Sequence, residues 1–338
     1  MAEKYPFFET LPIRYSGAVQ DALNHKHPVI ALESTVITHG LPFPQNIETA
    51  RRLEQIADAM GVVPATIIVL DGEIRIGLAE DLIRRLSPNP DKSDRPSSTL
   101  PFNKLSLRDL PGAIVTKASG GTTVSATMAI AHYCGIQVFA TGGIGGVHRG
   151  WQVHPDISTD LIALSRIPVM VISAGCKAIL DISATLEVLE TLGVPVYGWR
   201  TASFPAFYTR HSGYGIPQLD EVAQIASAYR YHLLQYGKTP QVLPGMLIAN
   251  PIPVEHEIPA DQIEPLINYA LAEAQEQGIR GKALTPFLLA YLAQHSHGES
   301  VDANLALLEN NVRLAGEIAR QLVTEDSDPH ISTKKERP

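Results

Sequence analysis

The stretch VMVISAGCKAILDI, Val169 to Ile182, runs from unbroken apolar residues into a small-residue turn that ends in Lys177. An amine at the mouth of a buried strand has two uses. Solvated, it marks where the strand leaves the core; half-buried with a depressed pKa, it attacks a carbonyl as the free amine. The segment that follows, AILDISATLEVLETLG, has the period of a helix. A cation at its start opposes the helix macrodipole, which disfavours the ammonium form and argues for a chemical use of Lys177. Cys176 has no histidine placed beside it by the sequence and reads as a small buried thiol.

Three other places carry groups that do chemistry. Glu33 ends the apolar run VIALE, where partial desolvation suits a general acid or base. Taken alone it reads better as a strand-end carboxylate paired with a cation. The loop ATGGIGGVHRG, Ala140 to Gly150, offers Gly142, Gly143, Gly145 and Gly146 close to a strand end, with His148 and Arg149 to add charge. It fits a phosphate cradle and a plain glycine turn equally well, and it is not a GxGxxG fingerprint. SGGTTVSAT, Ser119 to Thr127, is a second glycine-to-helix stretch of the same kind. In HPDISTD, Asp156 and Asp160 stand four apart at a helix start; they suit a hard divalent cation such as magnesium or manganese, while Asp156 also suits the N-cap of ISTDLIALSR. The spacing does not choose between them.

The elements that must position these groups alternate. PVIALEST reads as a strand and PQNIETARRLEQIADAMG as an amphipathic helix whose Ile47, Leu53, Ile56, Ala57 and Met60 share a face, ended by Gly61. ATIIVLDGEIRIGL is predicted as a hairpin across Asp71–Gly72. TTVSATMAIAHYCG, STDLIALSRI and SATLEVLETLG are predicted helices between the strands IQVFATGG, PVMVISAG and VPVYGW. This is a β/α pattern with a mainly parallel sheet. The last third is helical apart from the strand GMLIANPIP and reads as a helical layer on that sheet. SPNPDKSDRPSSTLP reads as a surface insertion and the tail from Glu325 as unstructured. Sites of such sheets collect beyond the carboxyl ends of the strands, where Glu33, the glycine loop and Lys177 all fall.

With 338 residues, 45% hydrophobic and 18% charged, the chain can bury a large core, as one big domain or two fused ones. A net charge of -8 without basic runs argues against a nucleic-acid polymer or an anionic membrane as partner, but leaves room for a small phosphate ester. Two cysteines are too few for a disulfide framework or a thiolate metal site and fit a reducing compartment. No secretory h-region and no membrane-length apolar run is present, so a cytoplasmic location is expected.

Taken together, ALESTVITHGLPFPQNIETA, RDLPGAIVTKASGGTTVSATM, VFATGGIGGVHRG, DISTDL, SAGCKAILDISATLEVLETLGVPV, TASFPAFYTR, ANPIP and TPFLLA resemble the pseudouridine-5′-phosphate glycosidase family, in order from about Val19 to Ala319. The resemblance implies an α/β/α sandwich over residues 1–324 and a homotrimer. The implied reaction cleaves the carbon-carbon glycosidic bond of pseudouridine 5′-phosphate to uracil and ribose 5-phosphate, with a divalent metal, typically manganese. Matched residue by residue, it gives Lys177 the role of Schiff-base nucleophile and Glu33 that of proton donor. Lys104, Val124, Ser158, Thr159, Asp160 and Asn304 match substrate-binding positions, and Asp156 matches the metal ligand. Trp199 and Arg200 replace residues more often tyrosine and glutamine, in a region that can shape the base pocket. Thr159 replaces a usual alanine, and the insertion Pro88 to Pro101 precedes Lys104.

The chemistry explains these residue types. A C-glycosidic bond has no glycosidic oxygen to protonate, so a two-carboxylate route has no handle on the leaving group. An imine on Lys177 provides another route. Two other classes fit the same loops: a lysine-dependent aldolase or lyase on another sugar phosphate, separated by the release of uracil, and a catalytically silent phosphosugar-binding protein, which has no turnover for Lys177→Ala to remove.

Overall fold

Val29–Glu33 is buried at every position, as a strand covered on both faces must be. In the computed structural model, which describes residues 11–41, 44–77, 102–153, 155–235, 242–279 and 281–326, this strand lies inside the main sheet. The expected insertion Pro88 to Pro101 and the tail beyond Asp326 lie outside those residues.

The first part of the chain runs β1 (Ile13–Tyr15), α1 (Gly17–Asn24), β2 (Val29–Glu33), one turn of π-helix (Val36–Gly40), α2 (Gln45–Ala59), β3 (Val63–Leu70) and β4 (Glu73–Ile76). It resumes with β5 (Asn103–Leu105), α3 (Leu110–Val115), β6 (Gly120–Thr122), α4 (Val124–Tyr133), β7 (Val138–Ala140) and β8 (Val147–His148). There follow α5 (Thr159–Leu164), β9 (Met170–Ser173), β10 (Leu180–Asp181), α6 (Ile182–Thr191), β11 (Val196–Trp199) and β12 (Gln218–Leu219). The last part is α7 (Val222–Gln235), β13 (Met246–Ala249), α8 (Ala260–Glu276), α9 (Leu284–His295) and α10 (Glu299–Asp326). Glu325 and Asp326, expected to begin the tail, thus close α10.

The main sheet has the order β1-β4-β3-β2-β7-β9-β13-β11-β12, with β6 pairing β3 and β5 at the side. From β3 to β12 along that path every pair is parallel. The exceptions are β4 and β6, which run against β3. The β3–β4 hairpin forms as its sequence predicts: Leu70 faces Glu73 across Asp71 and Gly72, both at positive φ (51° and 78°), the conformation of a two-residue hairpin turn.

Helices cover both faces. On one, α10 lies along β2, β7 and β9 and packs on α2 and α7; on the other, α4 lies on β2 and packs on α5. In α2 the buried residues Ile47, Ala50, Leu53, Ile56 and Ala57 recur at helical spacing, and Gly61 at φ 71° turns the chain out of the helix. The parallel strands all point their carboxyl ends to one edge of the sheet. Among the described residues no helix is long and apolar enough to cross a membrane.

Candidate active site

At that edge Glu33 ends β2, Thr141 and Gly142 follow β7, Lys177 stands four residues past β9, and Asn250 follows β13. A cleft of ≈ 550 Å³, counting the space at its open mouth, is lined there by Glu33, His39, Lys104, Lys177, Phe207 and Asn304. Leu289 of α9 and Leu308 of α10 add apolar wall. A small site with one apolar side and a few convergent polar groups is what a small-molecule ligand needs.

Glu33 is buried, and both its oxygens are occupied: the Thr35 hydroxyl donates to Oε2 and the Thr141 hydroxyl to Oε1. Thr141 is itself fixed, since its carbonyl accepts from Asn311 Nδ2 at 2.7 Å and Asn311 Oδ1 accepts from Asn250 Nδ2 at 2.9 Å. Among the described residues no ion pair of Glu33 is found, and two hydroxyls hold the strand-end carboxylate in place of the expected cation.

Lys177 is half-buried, with its amide donating to the Ile144 carbonyl at 3.0 Å. The expected helix does not begin beside it. Leu180 and Asp181 first pair with His148 and Val147 as a short antiparallel strand, and α6 starts at Ile182, where Asp181 accepts from the Ala184 amide at 3.0 Å. The macrodipole argument for Lys177 therefore does not hold, and its setting comes from the cleft. Cys176 is fully buried, and burial pushes its thiol up to about 12, so it is the inert thiol the sequence indicated.

Sequence reasoning missed His39 and Phe207. Burial and the neighbouring Lys104 hold the His39 imidazole below its ordinary range, against a hydrogen bond to the Phe102 backbone. Its Nδ1 lies 2.6 Å from Thr38 Oγ1. Phe207 stands at φ 67°, which is strained for a bulky aromatic residue. A Cβ on Gly143 would come within 2.7 Å of its ring, so the glycine lets Phe207 close that wall. The THG of ALESTVITHG, lying within a quoted motif, was the available signal for His39; nothing in the sequence marked Phe207.

The structure splits the remaining predicted residues from the cleft. Val124 opens α4 and is fully buried; Asp160 accepts from the Ser125 amide at 2.9 Å and the Gly145 amide at 2.8 Å; Thr159 Oγ1 is 3.1 Å from Ser125 Oγ. Ser158, not Asp156, caps α5, accepting from the Asp160 amide at 3.2 Å. Asp156 is 40% exposed at its side chain, with His148 Nε2 4.0 Å from its Oδ2. Burial lowers the pKa of His148; Asp156 opposes this, and Lys177 and Lys104 add to the lowering, which places His148 within electrostatic reach of the cleft lysines.

Much of the glycine loop is packing. A Cβ on Gly145 would meet Ser158 Oγ at 2.3 Å and one on Gly146 would meet Thr185 Oγ1 at 2.4 Å, while Gly142 and Gly143 line the cleft. Arg149 is engaged within the chain: its guanidinium grips Glu264 through two nitrogens at 2.9 and 3.1 Å and donates to the Ala178 and Leu180 carbonyls. Trp199 and Arg200 stack on each other at 4.5 Å and are not among the cleft residues.

A family model described as indigoidine synthase A-like protein matches residues 18–321. The chain belongs to the indigoidine synthase A-like family. Within it, the chain is 47% identical to the pseudouridine-5′-phosphate glycosidase of Roseobacter denitrificans, over 93% of this chain and 96% of that one. It is also 47% identical to the protein of the same name from Chloroflexus aurantiacus, over 91% and 97%. The resemblance carried by SAGCK, ALEST and VFATGGIGGVHRG is thus borne out. Among solved structures, an indigoidine synthase A-like protein of Thermotoga maritima aligns with TM-score 0.81 at 35% identity, covering 94% of this chain and 98% of its own. The prealnumycin C-glycosynthase AlnA, in complex with ribulose 5-phosphate, aligns with TM-score 0.82 at 36% identity, over 94% and 99%. The indigoidine synthase A-like fold is therefore the one that brings Glu33, Lys104, Lys177 and Asn304 to one cleft.

Proposed function

We propose that the chain is a pseudouridine-5′-phosphate glycosidase that cleaves the carbon-carbon bond of its substrate to uracil and ribose 5-phosphate. The observation that supports this most is the meeting of Lys177 and Glu33, from the ends of β9 and β2, in one cleft with Lys104 and Asn304. The Lys177 amine displaces the ring oxygen at the anomeric carbon, which opens the sugar ring, the freed oxygen taking the proton that the amine gives up. The lone pair of the resulting secondary amine then forms an imine as the bond to the base breaks in a retro-addition, with Glu33 delivering a proton to the base carbon. Water hydrolyses the remaining imine and frees Lys177. Lys104 offers its charge to the phosphorylated sugar, and Asn304 offers donor and acceptor to the base. Ser158 and Asp160 support the glycine loop at Gly145 from behind the cleft, and Val124 and Thr159 lie beside them at the starts of α4 and α5; through that loop we assign all four to the phosphate side.

The donors present fit a largely hydrated hard cation. Among the described residues no three His, Cys, Asp or Glu side chains come together, and Asp156 offers an accessible carboxylate beside His148. Asp156 would hold manganese or magnesium mainly through water. Bound there, the ion would supply positive charge toward the phosphorylated substrate.

We further expect a homotrimer in a reducing, cytoplasmic compartment. The exposed Tyr231, Leu234, Val254 and Tyr269 supply apolar surface for contacts between copies, and light scattering decides the assembly.

Incubation of the chain with pseudouridine 5′-phosphate, with and without manganese, tests the activity by uracil release. No uracil under either condition overturns it. The likeness to a C-glycosynthase supports a second reading, bond formation, which uracil with ribose 5-phosphate tests in the opposite direction.

A further inference from the structure

The two oxygens of Glu33 are held unequally. Oε2 takes the hydroxyl of Thr35, which is half-buried and lines the cleft, so this hydroxyl can turn to face an incoming ligand. Oε1 takes the hydroxyl of Thr141, which is 1% exposed and belongs to a strand end clamped from behind. The clamp is Asn311 of α10, 0% exposed, donating to the Thr141 carbonyl, and Asn250, 3% exposed, donating to Asn311. The amide orientation of Asn311 follows from its partners: a carbonyl can only accept, so Nδ2 faces Thr141 and Oδ1 faces Asn250. Asn250 is anchored in turn by its own amide, which donates to the Ser173 carbonyl at 2.8 Å. Four elements, β2, β7, β13 and α10, thus converge on one carboxylate.

We propose that Asn311, backed by Asn250, is a positioning residue that acts through Thr141 to fix Oε1 of Glu33, leaving Oε2 as the oxygen that carries the catalytic proton. This rests on the reading of the chain as a C-glycosidase. The proton leaves Oε2 for the base carbon as the carbon-carbon bond breaks, and the resulting carboxylate accepts from both threonines. Water that enters for imine hydrolysis returns a proton to Oε2. A proton donor must present one oxygen along one direction, and a clamped neighbour on the other oxygen supplies that direction. Condensation of free ribose 5-phosphate with Lys177 breaks no carbon-carbon bond and uses neither threonine, so the relay matters to bond cleavage and not to the attachment of ribose 5-phosphate.

The experiment compares kcat and KM for pseudouridine 5′-phosphate with borohydride trapping of ribose 5-phosphate on Lys177. Wild-type protein that releases no uracil overturns the functional reading and this proposal together. In active protein, Asn311→Ala is expected to lower kcat by about tenfold with KM changed by no more than about twofold and with labelling retained. Thr141→Val lowers kcat at least as far and Thr141→Ser restores most of it. The double variant Thr141→Val/Asn311→Ala is no slower than Thr141→Val alone, because both act on one link. Wild-type kcat in Asn311→Ala, parallel loss of label and turnover, or multiplying effects in the double variant overturns the proposal. If Asn311→Ala does not fold, Asn250→Ala reads the same relay one link out: lowered kcat with retained label supports it, and wild-type kcat overturns it.

Discussion

The Asp160 carboxylate takes the Gly145 amide at 2.8 Å on one oxygen and with the other takes the Ser125 amide at 2.9 Å. One buried side chain therefore ties the glycine loop, which lines the cleft two residues earlier, to the first turn of α4. Asp160→Ala leaves two buried amides without a partner and is expected to cost about 3–5 kcal/mol, read as a shift of the denaturant midpoint. Gly145→Ala should be destabilising for the same reason seen from the other side, since its methyl would displace Ser158 and Asp160. An unchanged midpoint in Asp160→Ala would show that the link carries no stability.

Lys177 is expected to take the label when the protein is incubated with ribose 5-phosphate and borohydride, mapped by peptide mass spectrometry. Lys177→Ala loses label and turnover. Glu33→Gln keeps the label and loses about 10²–10⁴ in turnover, the range that a positioned general acid contributes. Label at Lys104, which shares the cleft, would mean that the two lysines have exchanged roles.

Chelation should abolish uracil release and manganese restore it, because a single accessible carboxylate with water completing the shell binds weakly and exchanges readily. Asp156→Asn raises the manganese concentration needed for half-maximal rate. Full activity after exhaustive chelation removes Asp156 from the reaction.

Glu54 gives the stability of the fold a pH dependence of its own. Burial raises its carboxyl from 4.5 to about 7, with Asp58 adding to the rise, while the Thr66 hydroxyl, donating at 2.7 Å, opposes it. The sign follows from linkage: between pH 4.5 and about 7 the folded chain holds this proton and the unfolded chain does not, so stability falls as pH rises through that window. Glu54→Gln removes the dependence and should stabilise the protein at pH 8 by no more than about 3 kcal/mol, with little effect at pH 4. Equal midpoints for the two proteins at pH 8 would contradict the assignment.

Much of the fold was legible because its signals are local. The buried run of β2, the Asp71–Gly72 turn and the spaced apolar face of α2 each announce an element within a few residues. The strand-end rule located Glu33, Gly142 and Lys177, and applied with equal care it would have stopped at Thr141 after VFA and Asn250 after MLIA. The start of α6 was misread because a two-residue strand, Leu180–Asp181, exists only through pairing with Val147–His148, a contact between segments with no shared pattern. The partner of Arg149 was hidden for a similar reason: Glu264 lies in α8, far along the chain. Asn311 gave no signal at all, since an asparagine within a long amphipathic helix looks like any solvated position until the strand behind it is known.

The long helix α10 comes last in the described chain, yet it lies across β2, β7 and β9, carries Asn304 and Leu308 into the cleft and sets Asn311 behind Thr141. During synthesis the strands emerge first and wait for it. A nascent chain that has not yet released residues 299–326 from the ribosome has Glu33 and Lys177 but lacks one wall of the cleft and the clamp behind Thr141. Its central strands also expose the apolar face that α10 covers. Until α10 docks, the cleft lacks that wall and that clamp, and the strands it covers keep their apolar face open.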